Sequence, residues 1–356
     1  NMAIGYNALA QHTTGSRNIA IGYGAMDGTG ANDCPASVDN IFMGYNAGGG
    51  TWTTNDCNYN IGIGNSVMDA AMNGALNNIA VGYAALGSVT TASYNIGIGT
   101  NSLVNLTEGV NNTAVGEDAL SNITTGNGNT AFGYQALKLS DGADSHQTAV
   151  GTEALENSTT HYNTAIGAYA MKHIDDGANN TAIGGWAMTS ASSGAGAGND
   201  ASYNVAAGHH ALYEITDGDY NVAVGCDSGK DITTGGQNTL VGYGSGQNIT
   251  DGLNNVVLGT NAGDGTTSVD KTVLIGWGAG RGALDNNADG TVAIGYTAGL
   301  AITTGSGNTA IGYQALLENT TGIRNIAIGY GAMNGTQAGG TQSTSADSDD
   351  NIFIGY

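Results

Sequence analysis

One proline, three phenylalanines and three cysteines in 356 residues leave little material for the usual devices of a globular domain. Three cysteines are too few for a disulfide scaffold. Charge is scarce as well, at 10% of residues, and lopsided: 7 Lys and Arg face 29 Asp and Glu, for a formal net charge of -22. That balance opposes nucleic acid or an anionic membrane as partner, because both are bound through Lys and Arg. No apolar run approaches the roughly 20 residues that span a bilayer. The first residues lack a basic region followed by an apolar stretch, so neither anchor nor signal peptide is visible. Glycine, in contrast, is abundant at 61 residues, and the 40% hydrophobic content is rich in alanine and evenly spread. Such apolar content suits a narrow, elongated core.

Internal repetition decides the architecture. The glycine of a recurring Ala-Ile-Gly falls at 5, 22, 44, 64, 82, 99, 116, 133, 151, 167, 184, 208, 225, 242, 259, 276, 295, 312, 329 and 355, which makes 20 units with a base spacing of 17. The consensus is Asn-Thr-Ala-Ile-Gly-Tyr-x-Ala-Leu, a variable stretch, then Thr-Thr-Gly and two free positions; residues 308–324, NTAIGYQALLENTTGIR, show it nearly intact. The residue before this marker glycine is apolar in all 20 units, from Ile4 to Ile354, and is expected to be the core column. Four residues before the glycine stands Asn in 17 of 20 units, the exceptions being Gln147, Thr272 and Thr291, so an asparagine ladder is expected. Three residues after it come 15 Ala, three Ser and Val67, a column that excludes large side chains and predicts close backbone approach.

A 17-residue unit is too short for a helix pair, and β-branched residues punctuated by Gly and Thr-Thr-Gly indicate strand and turn. The predicted fold is all-β: a β-solenoid or β-roll of about 20 coils with a 17-residue repeat, forming one domain over residues 1–356. Asn-Thr-Ala-Ile-Gly-Tyr is expected to be the strand and Ala-Leu to turn onto the core, and the Gly before each Asn to take a positive φ. At roughly 4.8 Å per coil, 20 coils would make a rod on the order of 95 Å. So thin a coil calls for lateral association, and the small Ala and Gly column is the surface expected to meet neighbouring chains. Insertions fall between Ala-Leu and the next Asn, in loops 27–39, 49–59, 189–203 and 334–350, read as solvent-exposed decorations. NIAIGYGAM at 18–26 recurs at 325–333, and NIFMGY at 40–45 recurs as NIFIGY at 351–356. With no polar capping unit at either end, the chain is expected to be an excerpt of a longer protein.

The strings NTAVGEDALSNITTGNG at 112–128, NTAFGYQAL at 129–137 and NTAIGYQALLENTTG at 308–322 resemble the repeats of phage tail-fibre and tail-fibre-domain surface proteins. The resemblance covers nearly the whole chain. It implies a shaft, commonly followed by a self-cleaving trimerisation chaperone domain that this chain does not contain, and an extracellular place on a virion or cell surface. A looser similarity is to the head repeats of trimeric autotransporter adhesins, which use an Ala-Ile-Gly core with a shorter unit. Together these imply a homotrimer, with surface glycans or a host receptor as possible ligands, and they specify architecture more sharply than ligand. The alternative is the repeat region of a giant cell-surface adhesin or filament. An ice-binding solenoid is further off, because its flat array of regular Thr is missing.

Chemistry-bearing constellations each have a plain alternative, and no catalytic, cofactor-binding or metal residue is assigned. His12, His146, His161, His173, His209 and His210 show no regular ligand spacing with Cys and are read as surface histidines. Gly225-Cys-Asp-Ser-Gly229-Lys230 is one residue short of a phosphate loop, with Asp231 where Ser or Thr would bind magnesium. Gly242-Tyr-Gly-Ser-Gly246 lacks the helix and downstream acid of a dinucleotide site. Acidic turns at Asp141 and Asp144, Asp175 and Asp176, Asp217 and Asp219, and Ser345 to Asp350 carry oxygen ligands of the kind calcium prefers. They sit where other units have Thr-Thr-Gly and lack the nine-residue repeat of calcium-binding β-rolls, so turn chemistry is preferred over structural calcium. No paired carboxylates suggest a polysaccharide hydrolase, and the chain is not read as an enzyme. Tyr follows the marker glycine in 10 of 20 units, an exposed or half-exposed column expected to stack, with sugar binding the lesser reading. Cys34 and Cys57 lie in successive insertion loops and are candidates for a bridge in an oxidising setting, leaving Cys226 unpaired. Sequons such as Asn122-Ile-Thr arise from the consensus itself.

Overall fold

The computed structural model describes residues 1–12, 14–28, 36–139, 143–190, 199–334 and 349–356. They form two compact units, Asn1–Lys172 and His173–Tyr356. Each is a stack of ten three-residue parallel strands: β1 (Met2–Ile4) to β10 (Thr164–Ile166) in the first, β11 (Thr181–Ile183) to β20 (Ile352–Ile354) in the second. Pairing follows the repeat, as where β7 (Thr113–Val115) meets β8 (Thr130–Phe132) with Thr113 opposite Thr130, Ala114 opposite Ala131 and Val115 opposite Phe132. The β-solenoid expected from the 17-residue period is the fold observed. Among the described residues the only helix is a 3-10 turn at Asn286–Ala288, and none is long and apolar enough to cross a membrane.

The period-2 pleat corrects the expected core. Side chains alternate across a strand, and it is the middle residue that points inward: Ala20, Ala80, Ala114, Ala131 and Ala165 in the first unit, and Ala182, Ala206, Ala223 and Ala310 in the second, are fully buried. The Ile and Val before the marker glycine point outward, with Ile63 at 41%, Ile98 at 39% and Val224 at 39% exposure. Ala-Leu does turn onto the core, as Ala85-Leu86, Ala119-Leu120 and Ala211-Leu212 show. A further buried column, Leu106, Ile123, Ile215, Ile232 and Ile249, closes the coil. Each such Leu or Ile contributes roughly 1.5–3 kcal/mol of burial. The alanine column is therefore inside the coil and is not available to neighbouring chains.

Two inward columns exchange volume. Most units pair a small middle-strand residue with Leu or Met four residues after the marker glycine; where the middle residue grows, that fourth residue shrinks to Gly. Leu240, Val257 and Leu274 go with Gly246, Gly263 and Gly280. A Cβ on Gly280 would lie 2.6 Å from Leu274 Cδ2, and one on Gly246 3.0 Å from Leu240 Cδ2. Phe42 is compensated twice, by Gly48 in its own coil and by Gly62 in the next, where a Cβ would lie 2.5 Å from the ring. Close packing requires this, because a void or an overlap of one methyl group is felt.

The marker glycine has φ near +135°, for example +141° at Gly116, and an added Cβ there would sit 2.2 Å from the Gly133 carbonyl oxygen. The Thr-Thr-Gly glycines such as Gly109, Gly126 and Gly252 carry no positive φ. The left-handed residue before Asn is usually not glycine: Arg17, Asp39, Tyr94, Asn111, Tyr220 and Arg324 all occupy it. The local cost of such residues is on the order of 1 kcal/mol each, and inter-coil hydrogen bonds such as Tyr94 N to Leu76 O, at 2.9 Å, hold them there.

Candidate functional site

Three features of this coil carry the chemistry available to it: a polar spine inside, an apolar strand face outside, and one cluster of ligand-type side chains.

The spine is the asparagine ladder, and it is more thoroughly bonded than a simple amide stack. Asn112 donates its backbone N–H (2.9 Å) and its Nδ2 (3.1 Å) to Asn95 Oδ1. Its Nδ2 also donates to Gly126 O at 2.8 Å, and its Oδ1 accepts from Asn129 N and Nδ2 at 3.0 and 3.1 Å. The same pattern links Asn18, Asn40, Asn60 and Asn78 in the first unit and Asn221, Asn238 and Asn255 in the second. Two exceptions are accommodated: Thr272 Oγ1 donates to Asn255 Oδ1 at 2.7 Å, and Thr291 Oγ1 to Ala288 O at 2.7 Å. Gln147 fits less completely: its Oε1 accepts from Ser158 Oγ at 2.9 Å, while its buried Nε2 has no hydrogen-bond partner among the described residues. These side chains are buried, so the ladder is structural and presents nothing to solvent.

Outside, the residues flanking each middle-strand position form an uncovered face in each unit. Not one of the 20 units places a charged residue at either outward strand position; Ile, Val, Thr, Met, Leu, Phe and Ala fill them. Beside this face runs the tyrosine column, stacked as expected. Tyr6, Tyr23 and Tyr45 stack with centroids 5.3 and 5.4 Å apart in the first unit. In the second, Trp277, Tyr296, Tyr313, Tyr330 and Tyr356 form a continuous pile at 4.9, 5.2, 4.8 and 5.4 Å. A second aromatic column, in the left-handed position before Asn, includes Tyr203 stacked on Tyr220 at 5.0 Å.

The predicted acidic turns serve the backbone. Asp219 Oδ1 accepts from Ser202 N at 2.8 Å and Asp349 Oδ1 from Ile323 N at 2.9 Å, while Asp350 receives the Arg324 guanidinium. Asp144 is buried and offers its carbonyl to Asn129 Nδ2 at 2.8 Å. Asp141 and residues 345–348 lie outside the described residues, as does Cys34, and with it the bridge to Cys57. Loop 49–59 is no exposed decoration: Trp52 is fully buried, donates Nε1–H to Gly48 O at 3.1 Å and meets Phe42 edge-on at 5.9 Å. Cys57 is buried as well.

One grouping escaped sequence reasoning. His209 follows the marker glycine of one coil and Cys226 that of the next; His210 and Asp227 occupy the following position in the same two coils. A ligand search by short spacing misses them, whereas the 17-residue offset of the repeat, read as spatial contact, finds them. Donor atoms of His209, Cys226 and Asp227 all lie within 4.8 Å of one another. Cys226 Sγ is 3.4 Å from Asp227 Oδ2, and His210 Nδ1 3.4 Å from Asp227 Oδ1. Partial burial and then the neighbouring His209 hold His210 below the usual imidazole range. Partial burial, followed by the Asp227 carboxylate, pushes the Cys226 thiol up.

No protein-family model matches the chain, and no curated protein matches it.

Proposed function

We propose that this chain is a structural fibre segment that associates with copies of itself through its outward strand face, as in the tail-fibre shafts its repeats resemble, and that it is not an enzyme. The observation carrying this reading is the uncharged outward face. A solvated surface of a soluble protein is normally interspersed with charge, and contiguous exposed apolar area marks an interaction site. Here 29 acids and 7 bases are kept off both outward strand positions in every unit. A second copy is the partner whose side chains match this face in spacing, because it carries the same coil period. A homotrimer is the assembly the resemblance implies, with an extracellular or virion setting. A trimer requires that the contact between copies be head-to-tail and close after three subunits. The native mass by sedimentation velocity is the test. Trimer mass supports the reading; a monomer over the whole accessible concentration range overturns it.

A second reading, the repeat region of a cell-surface adhesin, is favoured by the exposed Trp277 to Tyr356 pile, since an aromatic platform suits sugar rings. Retention on immobilised polysaccharide, lost in Trp277→Ala and Tyr313→Ala, would be its mark; retention unchanged by both substitutions would remove it.

A further inference from the structure

We propose that His209, Cys226 and Asp227 form a binding site for a zinc-class divalent cation that ties two successive coils of the second unit together. The argument begins with register. The offset of 17 places His209 over Cys226 and His210 over Asp227, so two adjacent columns present nitrogen, nitrogen, sulfur and oxygen donors at one step of the solenoid. Elsewhere the first of these columns holds mostly Tyr, Asn or Thr. Among the described residues this is the one grouping of three ligand-type side chains close enough to share an ion.

The distances suit zinc. Bonds of about 2.0–2.3 Å to N, O and S in a tetrahedron set ligand atoms on the order of 3.5 Å apart. Cys226 Sγ and Asp227 Oδ2 already stand 3.4 Å apart. The remaining donor belongs to His209, exposed, within 4.8 Å of the other two and with its ring centroid 3.7 Å from that of His210. Asp227 divides its oxygens: Oδ2 faces the thiol, while Oδ1 faces His210 Nδ1 at 3.4 Å. His210 thus takes the position from which an outer partner orients a ligating carboxylate. Both His210 and Asp227 have left-handed backbone, φ 56° and 54°, which sets the direction of their side chains. A thiolate and an imidazole select zinc or cobalt over calcium and magnesium. On binding, the Cys226 S–H bond breaks, a metal–sulfur bond forms and the proton leaves to solvent. The fourth position, open to solvent, is filled by water. The neighbouring cation, Lys230, has its ammonium 3.8 Å from Asp231.

Titration of the reduced, untagged protein with cobalt(II) chloride tests the site. The expected result is a sulfur-to-cobalt charge-transfer band saturating at one equivalent. It should be abolished in Cys226→Ser and weakened about tenfold or more in His209→Asn, displaced by zinc(II) and unaffected by excess calcium. His209 is exposed and Cys226 half-buried, and circular dichroism identical to the parent protein confirms that each variant folds. Absence of the band in the parent protein, or its persistence at full strength in Cys226→Ser, overturns the proposal.

Discussion

At the scale of single residues, the marker glycine is the least replaceable position. Its φ near +135° is open to glycine almost alone, and any Cβ would strike the carbonyl of the coil beyond it. Substituting Gly116→Ala therefore costs about 3 kcal/mol or more, combining backbone strain with overpacking against backbone that cannot rotate away. A marked fall in the denaturant midpoint is expected. An unchanged midpoint would show that the coils separate easily to admit a methyl group. The volume exchange between Leu274 and Gly280, or Phe42 and Gly62, belongs to the same scale. Each pair can be read in the sequence once the inward positions are known: Leu274 meets a glycine in the other column of its own coil, and Phe42 meets Gly62 in the same column of the next coil.

At the scale of the element, a three-residue strand is too short to persist alone, and its stability comes from its neighbours and from the ladder beside it. Asn112 shows how much rests on one side chain. Replacing it by Ala strands the Asn129 donors and the Gly126 carbonyl in a buried setting, at about 1–3 kcal/mol per unsatisfied group before any relaxation. Asn112→Asp keeps the shape but offers acceptors only, placing a carboxylate against Asn95 Oδ1 and the Gly126 carbonyl. It is expected to destabilise at least as much as Asn112→Ala at neutral pH, read as the relative order of the two denaturant midpoints. If Asp were tolerated and Ala not, the ladder would act through shape and not through donated hydrogen bonds.

At the scale of the whole molecule, the division of labour is between turns that carry the net charge of -22 and strand faces that carry none. The charged turns favour hydration, and the uncharged faces are the surface through which self-association is proposed. Val224→Lys places a charge in the middle of the outward face of the second unit, where Val224 is 39% exposed. The substitution leaves the inward packing untouched, so the coil should fold as before while the mass in sedimentation falls toward that of one chain. Persistence of the parent mass would assign association to another surface.

The 17-residue period, the β-solenoid, the asparagine ladder and the stacked tyrosines were all legible in the sequence, because identical residues at a fixed interval must align when one coil stacks on the next. Which side of the strand faces the core was not legible. Ile and Val before the marker glycine have the chemistry of a core, and Ala in mid-strand has the chemistry of either side. Only the pleat decides that the middle residue goes in and its two neighbours go out, whether that middle residue is Ala or, as at Phe42 and Leu240, a large one. The same holds for Trp52, buried by a loop whose polar composition indicates exposure, and for His209 and Cys226. Those two are distant along the chain and become neighbours only because stacking turns an interval of 17 residues into a single inter-coil step.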